Sequence, residues 1–182
     1  MAGAFDGKVA LVTGASRGVG AALVRRLALA GAEVVAVARG QVSLEELDDD
    51  LRAQGAKPLV LVPEDLKAPE VLDRVGAAIY ERWGRLDLLV GAAGTIGGGL
   101  RPAAHFEPDD WAEVLAVNLT ANWRLIRATE PLLRMAPAAR ALFVADAAPV
   151  REAPAFWAPY VTRNESLETM LLLWSSVMGC FS

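Results

Sequence analysis

The chain has 182 residues and a formal net charge of −4; 54% of its residues are hydrophobic and 22% are charged. This length and composition predict a single globular domain and exclude intrinsic disorder. An acidic protein with a pI of 5.1 carries no electrostatic footprint for a nucleic-acid backbone. The single cysteine, Cys180, excludes an internal disulfide framework, and the single histidine, His105, leaves no ligand set for a zinc cluster, so we expect no metal site.

We expect neither a targeting segment nor a membrane span. Met1–Lys8 lacks a charged region before an apolar stretch, and the apolar run Val9–Val12 is too short for a signal peptide. No run approaches the ~18 apolar residues that a membrane span requires. These features predict a cytoplasmic protein that binds neither membranes nor nucleic acids. His105, in a polar stretch after Pro102, is expected to be a surface residue.

Short apolar runs alternate five times with stretches of helical periodicity. Continuous apolar runs, typical of strands buried on both faces, occur at Lys8–Thr13, Glu33–Ala38, Pro58–Val62, Leu86–Val90 and Ala141–Ala145. Helical spacing of apolar residues predicts helices at Gly18–Ala30, Leu44–Gln54, Ala68–Trp83, Pro108–Met135 (broken near Val117) and Pro159–Val177. This alternation predicts a doubly wound α/β fold, in which helices cover both faces of a parallel sheet.

Local signals mark the ends of the first two helices. Gly31 follows the first helix as a C-terminal stop, and Gly55 ends the second. Ser43 is predicted to be the N-cap of the second helix, with Glu46 three residues later completing a capping box. The acidic run Asp48–Asp50 is predicted to be a solvated helix end.

The main functional signal lies where the first strand turns into the first helix, from Thr13 to Gly20. Glycines at such a turn permit positive φ and let the backbone approach a ligand closely. The free N–H groups at the start of the helix, aligned with its dipole, form an anion site. The candidate cofactor-binding residues of the turn are Gly14, Ser16, Arg17, Gly18, Val19 and Gly20. The alternative is a tight strand–helix turn that binds no ligand.

The spacing Thr-Gly-x-x-x-Gly-x-Gly resembles the short-chain dehydrogenase/reductase family, and the resemblance covers nearly the whole chain. Asp65 and Leu66, after the third strand, resemble the family's adenine-contacting position. Gly91-Ala92-Ala93-Gly94 stands where the family usually has Asn-Asn-Ala-Gly, which adds Ala92, Ala93 and Gly94 to the candidate cofactor site. The resemblance implies a Rossmann-like sheet with strand order 3-2-1-4-5, and a nucleotide lying across the carboxyl ends of its strands.

Charge at the end of the second strand bears on the choice of cofactor. An acidic residue there would bind a ribose 2′-hydroxyl and repel a 2′-phosphate, but this stretch reads Val37-Ala38-Arg39. Arg39, with Arg17 as a second cation, favours a phosphate, because bidentate guanidinium contacts to phosphate are strong. We therefore expect NADP(H) to be preferred, with NAD(H) as an alternative. In the other interpretation, Arg39 is a solvated loop residue.

The resemblance also implies the groups for proton transfer. Tyr160 matches the family's catalytic tyrosine, and Asn118 matches the asparagine that supports a water-linked proton path. The family has a lysine four residues after the tyrosine, which lowers the pKa of the tyrosine, but this chain has Asn164. Thirteen residues before Tyr160, at the family's serine position, stands Ala147, with Asp146 beside it. Because a free tyrosine has a pKa of ~10, oxidation should suffer more than reduction.

Two alternatives concern the neighbours of Tyr160. Arg163, three residues further along the helix, could supply the missing cation, or it could be a solvent-facing arginine. Tyr160 could itself be only a packed aromatic side chain beside Phe156 and Trp157.

The resemblance carries expectations about the whole molecule. Residues 1–182 are expected to form one dinucleotide-binding domain without the family's usual C-terminal substrate-pocket segment, which would leave the fifth strand as an uncovered edge. The apolar run Met170–Trp174 should then be covered by the protein's own sheet or by a partner.

In the family, the long fourth helix and the tyrosine helix form a subunit interface, which predicts a homo-oligomer such as a dimer. Core packing is the alternative for Trp111, Leu119 and Trp123.

Two functions remain open. The first is an NADP(H)-dependent oxidoreductase that reduces a carbonyl, or oxidises an alcohol, of a small molecule, with impaired activity. The second is a non-catalytic nucleotide-binding or scaffold protein, a pseudoenzyme derived from the same family. The residues at positions 147 and 164 distinguish them, because function must be argued from the site and not from the fold.

Overall fold

Five parallel strands form one sheet in the order β3-β2-β1-β4-β5 in the computed structural model, which describes residues 3–99, 101–145, 156 and 158–178, with the backbone alone at 160, 177 and 178. The strands are β1 (Val9–Thr13), β2 (Glu33–Ala38), β3 (Val60–Pro63), β4 (Leu88–Gly91) and β5 (Arg140–Phe143). Every pairing in the sheet is parallel, and β1 lies between β2 and β4. The predicted fold and strand order are confirmed.

At least one helix follows each of the five strands, as the alternation predicted. The α-helices are α1 (Gly18–Leu29), α2 (Gln41–Ala53), α3 (Val71–Trp83), α4 (Pro108–Leu115), α5 (Ala121–Arg134) and α6 (Ala158–Met178). The predicted break near Val117 is a π-helical turn at Ala116–Thr120, so the chain stays helical from α4 into α5. Predicted and observed boundaries differ by up to three residues.

The predicted N-cap of the second helix is wrong. Helix α2 begins at Gln41, two residues before Ser43, and Gly40 occupies the cap position without a side-chain hydrogen bond. The carbonyl oxygen of Gly40 accepts a hydrogen bond from the N–H of Leu44 at 3.2 Å, so Ser43 already lies inside the first helical turn. The short connection after β2 starts the helix earlier than the capping pattern indicated.

The chain divides into two compact units. The first comprises Met1–Ala93 and Arg124–Val144 and holds the sheet, α1, α2, α3 and most of α5. The second comprises Gly94–Trp123 and Ala145–Ser182 and holds α4, the π-helical turn and α6. The exposed His105, predicted to be a surface residue, belongs to the second unit.

Helices α1 and α2 share one hydrophobic cluster with one face of the sheet. Alternate residues of β1 and β2 enter this cluster, since successive side chains of a strand point to opposite faces. Its buried members include Ala10, Val12, Val24, Leu27, Val34, Ala36, Leu44, Leu47 and Leu51. Burial of these aliphatic side chains, at ~25 cal/mol per Å² of apolar surface, fixes the two helices on the sheet.

Helices α3 and α5 also pack closely within the first unit. A Cβ atom added to Gly76 of α3 would lie 2.7 Å from the carbonyl oxygen of Ala128 in α5, so a glycine is required at this crossing. The N–H of Leu86 donates a hydrogen bond to the carbonyl oxygen of Leu132 at 3.0 Å, which ties the start of the β4 segment to α5.

The acidic run in α2 is not solvated throughout. Asp49 and Asp50 are exposed as predicted, but Asp48 is buried, and its Oδ1 accepts a hydrogen bond from the N–H of Leu59 at 2.7 Å. The prediction is therefore wrong for Asp48, whose carboxylate satisfies a backbone donor just before β3.

Apolar side chains are exposed to solvent at two places in the described part of the chain. Strand β5 pairs with β4 alone among the described residues, and Leu142 is 47% exposed. On α6, Leu172 and Leu173 are 70% and 66% exposed, so the described residues do not supply the cover expected for this run.

No helix among the described residues combines the length and apolar character needed to cross a membrane.

Asp87 forms a buried charged centre at the amino ends of β1 and β4. Its Oδ1 lies 3.0 Å from Nζ of Lys8, while Oδ2 accepts hydrogen bonds from the N–H of Val9 at 3.0 Å and Nε of Arg85 at 3.1 Å. Burial alone would raise the pKa of Asp87, but the Val9 N–H, Lys8 and Arg85 outweigh it and hold the pKa below its usual range. The ionised form is therefore favoured in the folded protein.

We expect Asp87→Asn to lower the free energy of unfolding by about 2 kcal/mol at pH 7, because an amide leaves Lys8 and Arg85 without their counter-charge. A depressed folded-state pKa stabilises the protein above the unfolded value of ~3.9, and this contribution is lost as the pH falls through the folded-state pKa. The difference in the free energy of unfolding between wild type and variant, measured by urea unfolding, should become smaller as the pH falls below about 4.

Asp73→Asn is the matched control, because Asp73 forms an exposed ion pair with Arg127 at 2.7 Å. Its effect should stay within about 0.5 kcal/mol at pH 7. A difference between Asp87→Asn and wild type that does not change with pH would contradict the role given to the ionised carboxylate.

Candidate functional site

The glycine turn lies at the carboxyl end of the central strand β1. Gly14 has a φ of 66°, in the left-handed region, and a Cβ atom there would lie 2.6 Å from the carbonyl oxygen of Ala92. The next residue, Ala15, donates its N–H to the carbonyl oxygen of Val37 at 3.2 Å. The turn is thus held between the end of β2 and the segment that follows β4.

The other two glycines of the turn have different physical roles. A Cβ atom on Gly20 would overlap the carbonyl oxygen of Gly14, so the start of α1 packs directly against the glycine turn. Gly18 has a φ of 57°, but a Cβ atom there would meet nothing within 4 Å. Gly14 and Gly20 are therefore required by packing, whereas Gly18 leaves open space in front of the backbone.

The start of α1 has the properties of an anion site. Arg17 is the N-cap residue, and no side chain donates to or accepts from the cap. The first N–H groups of a helix have no intrahelical partner, and they lie at the positive end of the helix dipole. Gly18 and Val19 are exposed, so a phosphate group fits against this backbone without displacing a side chain.

Thr13 also shapes the candidate site, although the sequence analysis did not include it among the candidate cofactor-binding residues. Its buried Oγ1 accepts hydrogen bonds from the N–H groups of Ala92 and Ala93 at 3.2 and 3.3 Å, and donates one to the carbonyl oxygen of Val90 at 3.4 Å. The threonine hydroxyl thereby holds the segment after β4 against the glycine turn. Its place directly before Gly14 in the motif was the signal that could have identified it.

Two arginines flank this edge of the sheet. Arg17 and Arg39 are both exposed, and neither forms an ion pair with a carboxylate in the part of the chain that the structure describes. By contrast, Arg25 of α1 is bound to Asp50 of α2 at 2.9 Å. This ion pair and Ser16 of the glycine turn line one polar cleft between α1 and α2. The charges of Arg17 and Arg39 remain available to an anion.

The candidate adenine position after β3 forms a local turn. Oδ1 of Asp65 accepts a hydrogen bond from the N–H of Lys67 at 2.9 Å, and Oδ2 lies 3.7 Å from Nζ of the same lysine. Leu66 is buried. The carboxylate of Asp65 thus fixes the backbone of its own loop, which positions the residues at this end of β3.

In the second unit, Asn118 binds the loop that follows Gly94. Asn118 is fully buried in the π-helical turn, where its Oδ1 accepts from the N–H of Thr95 at 2.8 Å and its Nδ2 donates to the Thr95 carbonyl at 2.7 Å. Asn122 donates its side-chain N–H to the carbonyl oxygen of Asn118 at 2.7 Å. The side chain of Asn118 therefore acts here by positioning the loop backbone.

Tyr160 lies in the first turn of α6, and its side chain is outside the described residues, as are Asp146 and Ala147. Asn164, at the position of the family's lysine, is buried. Arg163 is only 3% exposed, so its interpretation as a solvent-facing arginine is wrong. These two residues lie on the same buried face of α6 as Leu167. The orientation of α6, which the sequence pattern around Arg163 did not indicate, buries the arginine.

The sequence of the chain is similar to those of known proteins. The sequence profile of the short chain dehydrogenase family matches residues 8–163. A 3-oxoacyl-acyl-carrier-protein reductase of Escherichia coli is 33% identical over 124 residues, which cover 68% of this chain and 48% of that protein. An uncharacterised NAD-dependent oxidoreductase of Mycobacterium tuberculosis is 37% identical over 145 residues, covering 72% and 51%. The chain thus spans about half the length of the curated relatives it matches.

Solved structures show the same fold. A short-chain dehydrogenase from Pseudomonas syringae superimposes with a TM-score of 0.91 at 29% identity, over 98% of this chain and 74% of that one. A Shigella flexneri short-chain dehydrogenase complexed with NADP has a TM-score of 0.89 at 24% identity, over 97% and 74%. With the profile match and the glycine turn in its expected place, the chain belongs to the short-chain dehydrogenase/reductase family.

Proposed function

We propose that this chain binds NADP(H) and acts as an oxidoreductase on a carbonyl or alcohol group of a small molecule. The observation that carries the proposal is the glycine turn, where a Cβ atom added to Gly18 would enter open space. An uncapped helix start at the carboxyl end of the central strand of a doubly wound sheet is where such folds bind dinucleotides. The family membership of the chain supports the same cofactor class.

The residues proposed to hold the cofactor divide by chemistry. Backbone N–H groups at Gly18, Val19 and Gly20 would bind the pyrophosphate, while Gly14 and Ser16 shape the turn. Asp65 and Leu66 would border the adenine, and Ala92, Ala93 and Gly94 would border the remainder of the dinucleotide. When bound, NADPH supplies a hydride equivalent for reduction.

The preference for the 2′-phosphate rests on Arg39 and Arg17. Both guanidinium groups are exposed and make no ion pair in the described chain, and no carboxylate follows β2 to repel a phosphate. The family membership of the chain supports a nicotinamide cofactor, and the Mycobacterium tuberculosis relative is described as NAD-dependent. NAD(H) therefore stays the alternative cofactor to be tested.

Proton transfer is proposed to use Tyr160, whose hydroxyl would donate a proton to the carbonyl oxygen of the substrate during reduction. An unassisted tyrosine is protonated at neutral pH, so it can serve as an acid more readily than as a base. Asn164 supplies no charge to assist deprotonation, which favours reduction over oxidation. Asn118 supports the site as a positioning residue through Thr95.

The second candidate function is a non-catalytic nucleotide-binding or scaffold protein. The buried Asn164 at the lysine position favours it, because a neutral amide cannot stabilise a tyrosinate as a cation does. In this case the nucleotide site would be retained without turnover.

We also propose a homo-oligomer formed through the long helix that contains α4 and α5 and through α6. Trp123 is 47% exposed, and Leu172 and Leu173 are more exposed still. Contact with a second copy would remove this apolar surface from water, which is favourable by ~25 cal/mol per Å².

The nucleotide site can be tested by Gly18→Ala. Because Gly18 has a positive φ, the alanine should cost about 1–2 kcal/mol of stability. It should also lower the affinity for NADPH by at least about tenfold, because the new methyl group fills the space in front of the backbone. NADPH fluorescence titration and urea unfolding measure the two effects.

Gly55→Ala is a matched control, since Gly55 also has a positive φ and open space around its Cβ position. The control should show the same loss of stability without a change in affinity. Equal NADPH affinity in wild type and Gly18→Ala would contradict a nucleotide site at the turn.

The choice of cofactor can be tested by Arg39→Ala. Loss of a guanidinium–phosphate contact should weaken NADPH binding by about 2 kcal/mol, or roughly thirtyfold, and leave NADH binding unchanged. Arg26→Ala is the control, because Arg26 is exposed on α1 and makes no ion pair in the described residues. Equal losses for NADPH and NADH would show that Arg39 does not read the 2′-phosphate.

Turnover separates the two candidate functions. NADPH oxidation with a panel of ketones should fall about 100-fold or more in Tyr160→Phe, as expected when a general acid is removed. The double variant Ala147→Ser/Asn164→Lys should raise turnover, and its circular dichroism should be checked because position 164 is buried. Tight NADPH binding with no turnover in any of these proteins would support the non-catalytic function instead.

A further inference from the structure

A second cavity lies in the first unit, between α3 and the outer strands of the sheet. Its volume is about 250 Å³, and none of the candidate cofactor residues lines it. Valine and isoleucine side chains form most of its wall, and charged side chains stand among them.

The floor of the cavity is the face of the sheet opposite α1 and α2. Val60 and Val62 of β3 alternate with Leu61, which packs into the cluster on the α1 and α2 side, so the two valines point the other way. Val35 of β2 is paired with Val60 in register and completes the floor. Both Val60 and Val62 are only half-buried, which leaves apolar surface in contact with solvent.

One stripe of α3 forms the wall. The stripe repeats at helical spacing and consists of Val71, Arg74, Val75, Ala78, Ile79 and Arg82. The cavity exists because α3 must cross from the edge strand β3 to β4 on the far side of β1. The close contact of Gly76 with Ala128 holds α3 against α5, so β3 remains partly uncovered.

The charges around the cavity do not balance. Arg74 is bound to Glu64 at 3.0 Å and lies 3.7 Å from Glu70. Arg82 has no carboxylate partner in the part of the chain that the structure describes, and its guanidinium carbon lies 4.6 Å from the centroid of the Trp83 ring. The lining therefore offers one unneutralised cation beside an aromatic ring and an aliphatic floor.

We infer that this cavity binds a small hydrophobic monocarboxylate. A cavity of about 150 Å³ can hold a benzene ring, so 250 Å³ leaves room for a ring or an equivalent chain and a short acid arm. The apolar body would lie on Val60 and Val62, and the carboxylate would bind Arg82, whose fork of N–H groups matches a carboxylate. The single cation selects the acid over its neutral analogue.

The test is a titration of the ¹⁵N-labelled full chain with 3-phenylpropanoate, followed by amide chemical shifts. The neutral 3-phenylpropanol has the same body and serves as the matched ligand. We expect the largest shifts at Val60, Val62 and Val75, and an affinity for the acid at least about tenfold above that for the alcohol.

Two variants separate the parts of the cavity. Arg82→Gln should reduce the affinity for the acid to that for the alcohol, while Ala78→Phe should abolish binding of both by filling the space. Both positions are exposed on α3, so the fold should be retained. Arg26→Gln removes an exposed arginine from α1, away from the cavity, and should leave the affinity unchanged.

The inference would be overturned by equal affinities for acid and alcohol, by shifts centred on the glycine turn at Gly14–Gly20, or by no shifts at all. Retention of acid binding in Ala78→Phe would also overturn it, because a filled cavity cannot take the ligand.

Discussion

The close approach of backbone segments at the carboxyl end of β1 is the constraint on which the candidate site depends. Gly14 leaves no room for a side chain beside the carbonyl of Ala92, and Gly20 leaves none beside the carbonyl of Gly14. These contacts fix α1 on the end of the central strand and fix the segment after β4 beside the turn. The free N–H groups of the helix start are thereby aimed across the edge of the sheet instead of being covered by side chains.

Charged groups are used differently at the amino ends of the strands (the amino edge) and at their carboxyl ends (the carboxyl edge). At the amino edge, the buried carboxylate of Asp87 satisfies the N–H of Val9 and the cations of Lys8 and Arg85, so polar groups there are used within the protein. At the carboxyl edge, Arg17 and Arg39 stay exposed without ion pairs among the described residues.

The backbone architecture could be predicted because apolar runs, helical spacing and the glycine turn are local signals. Features that depend on contacts across the chain could not. The sequence predicts Asp48 to be solvated because it belongs to an acidic run, but in the folded chain it accepts a hydrogen bond from the N–H of Leu59. Likewise, Arg163 reads as a surface arginine until α6 is oriented so that it lies on the buried face with Leu167. Thr13 is an intermediate case, because its place in the motif is visible but its acceptance of two distant N–H groups is not.

The same distinction applies to function. The proposed phosphate contacts come mainly from backbone groups, and a backbone site persists as long as the glycines and the strand order persist. The proposed proton transfer depends instead on the identity of a few side chains, and at positions 147 and 164, where the resemblance places the family's serine and lysine, this chain has alanine and asparagine. Substitution of a side chain can remove the second property without disturbing the first. The proposed nucleotide binding and the proposed turnover can therefore be lost independently, so each must be measured by itself.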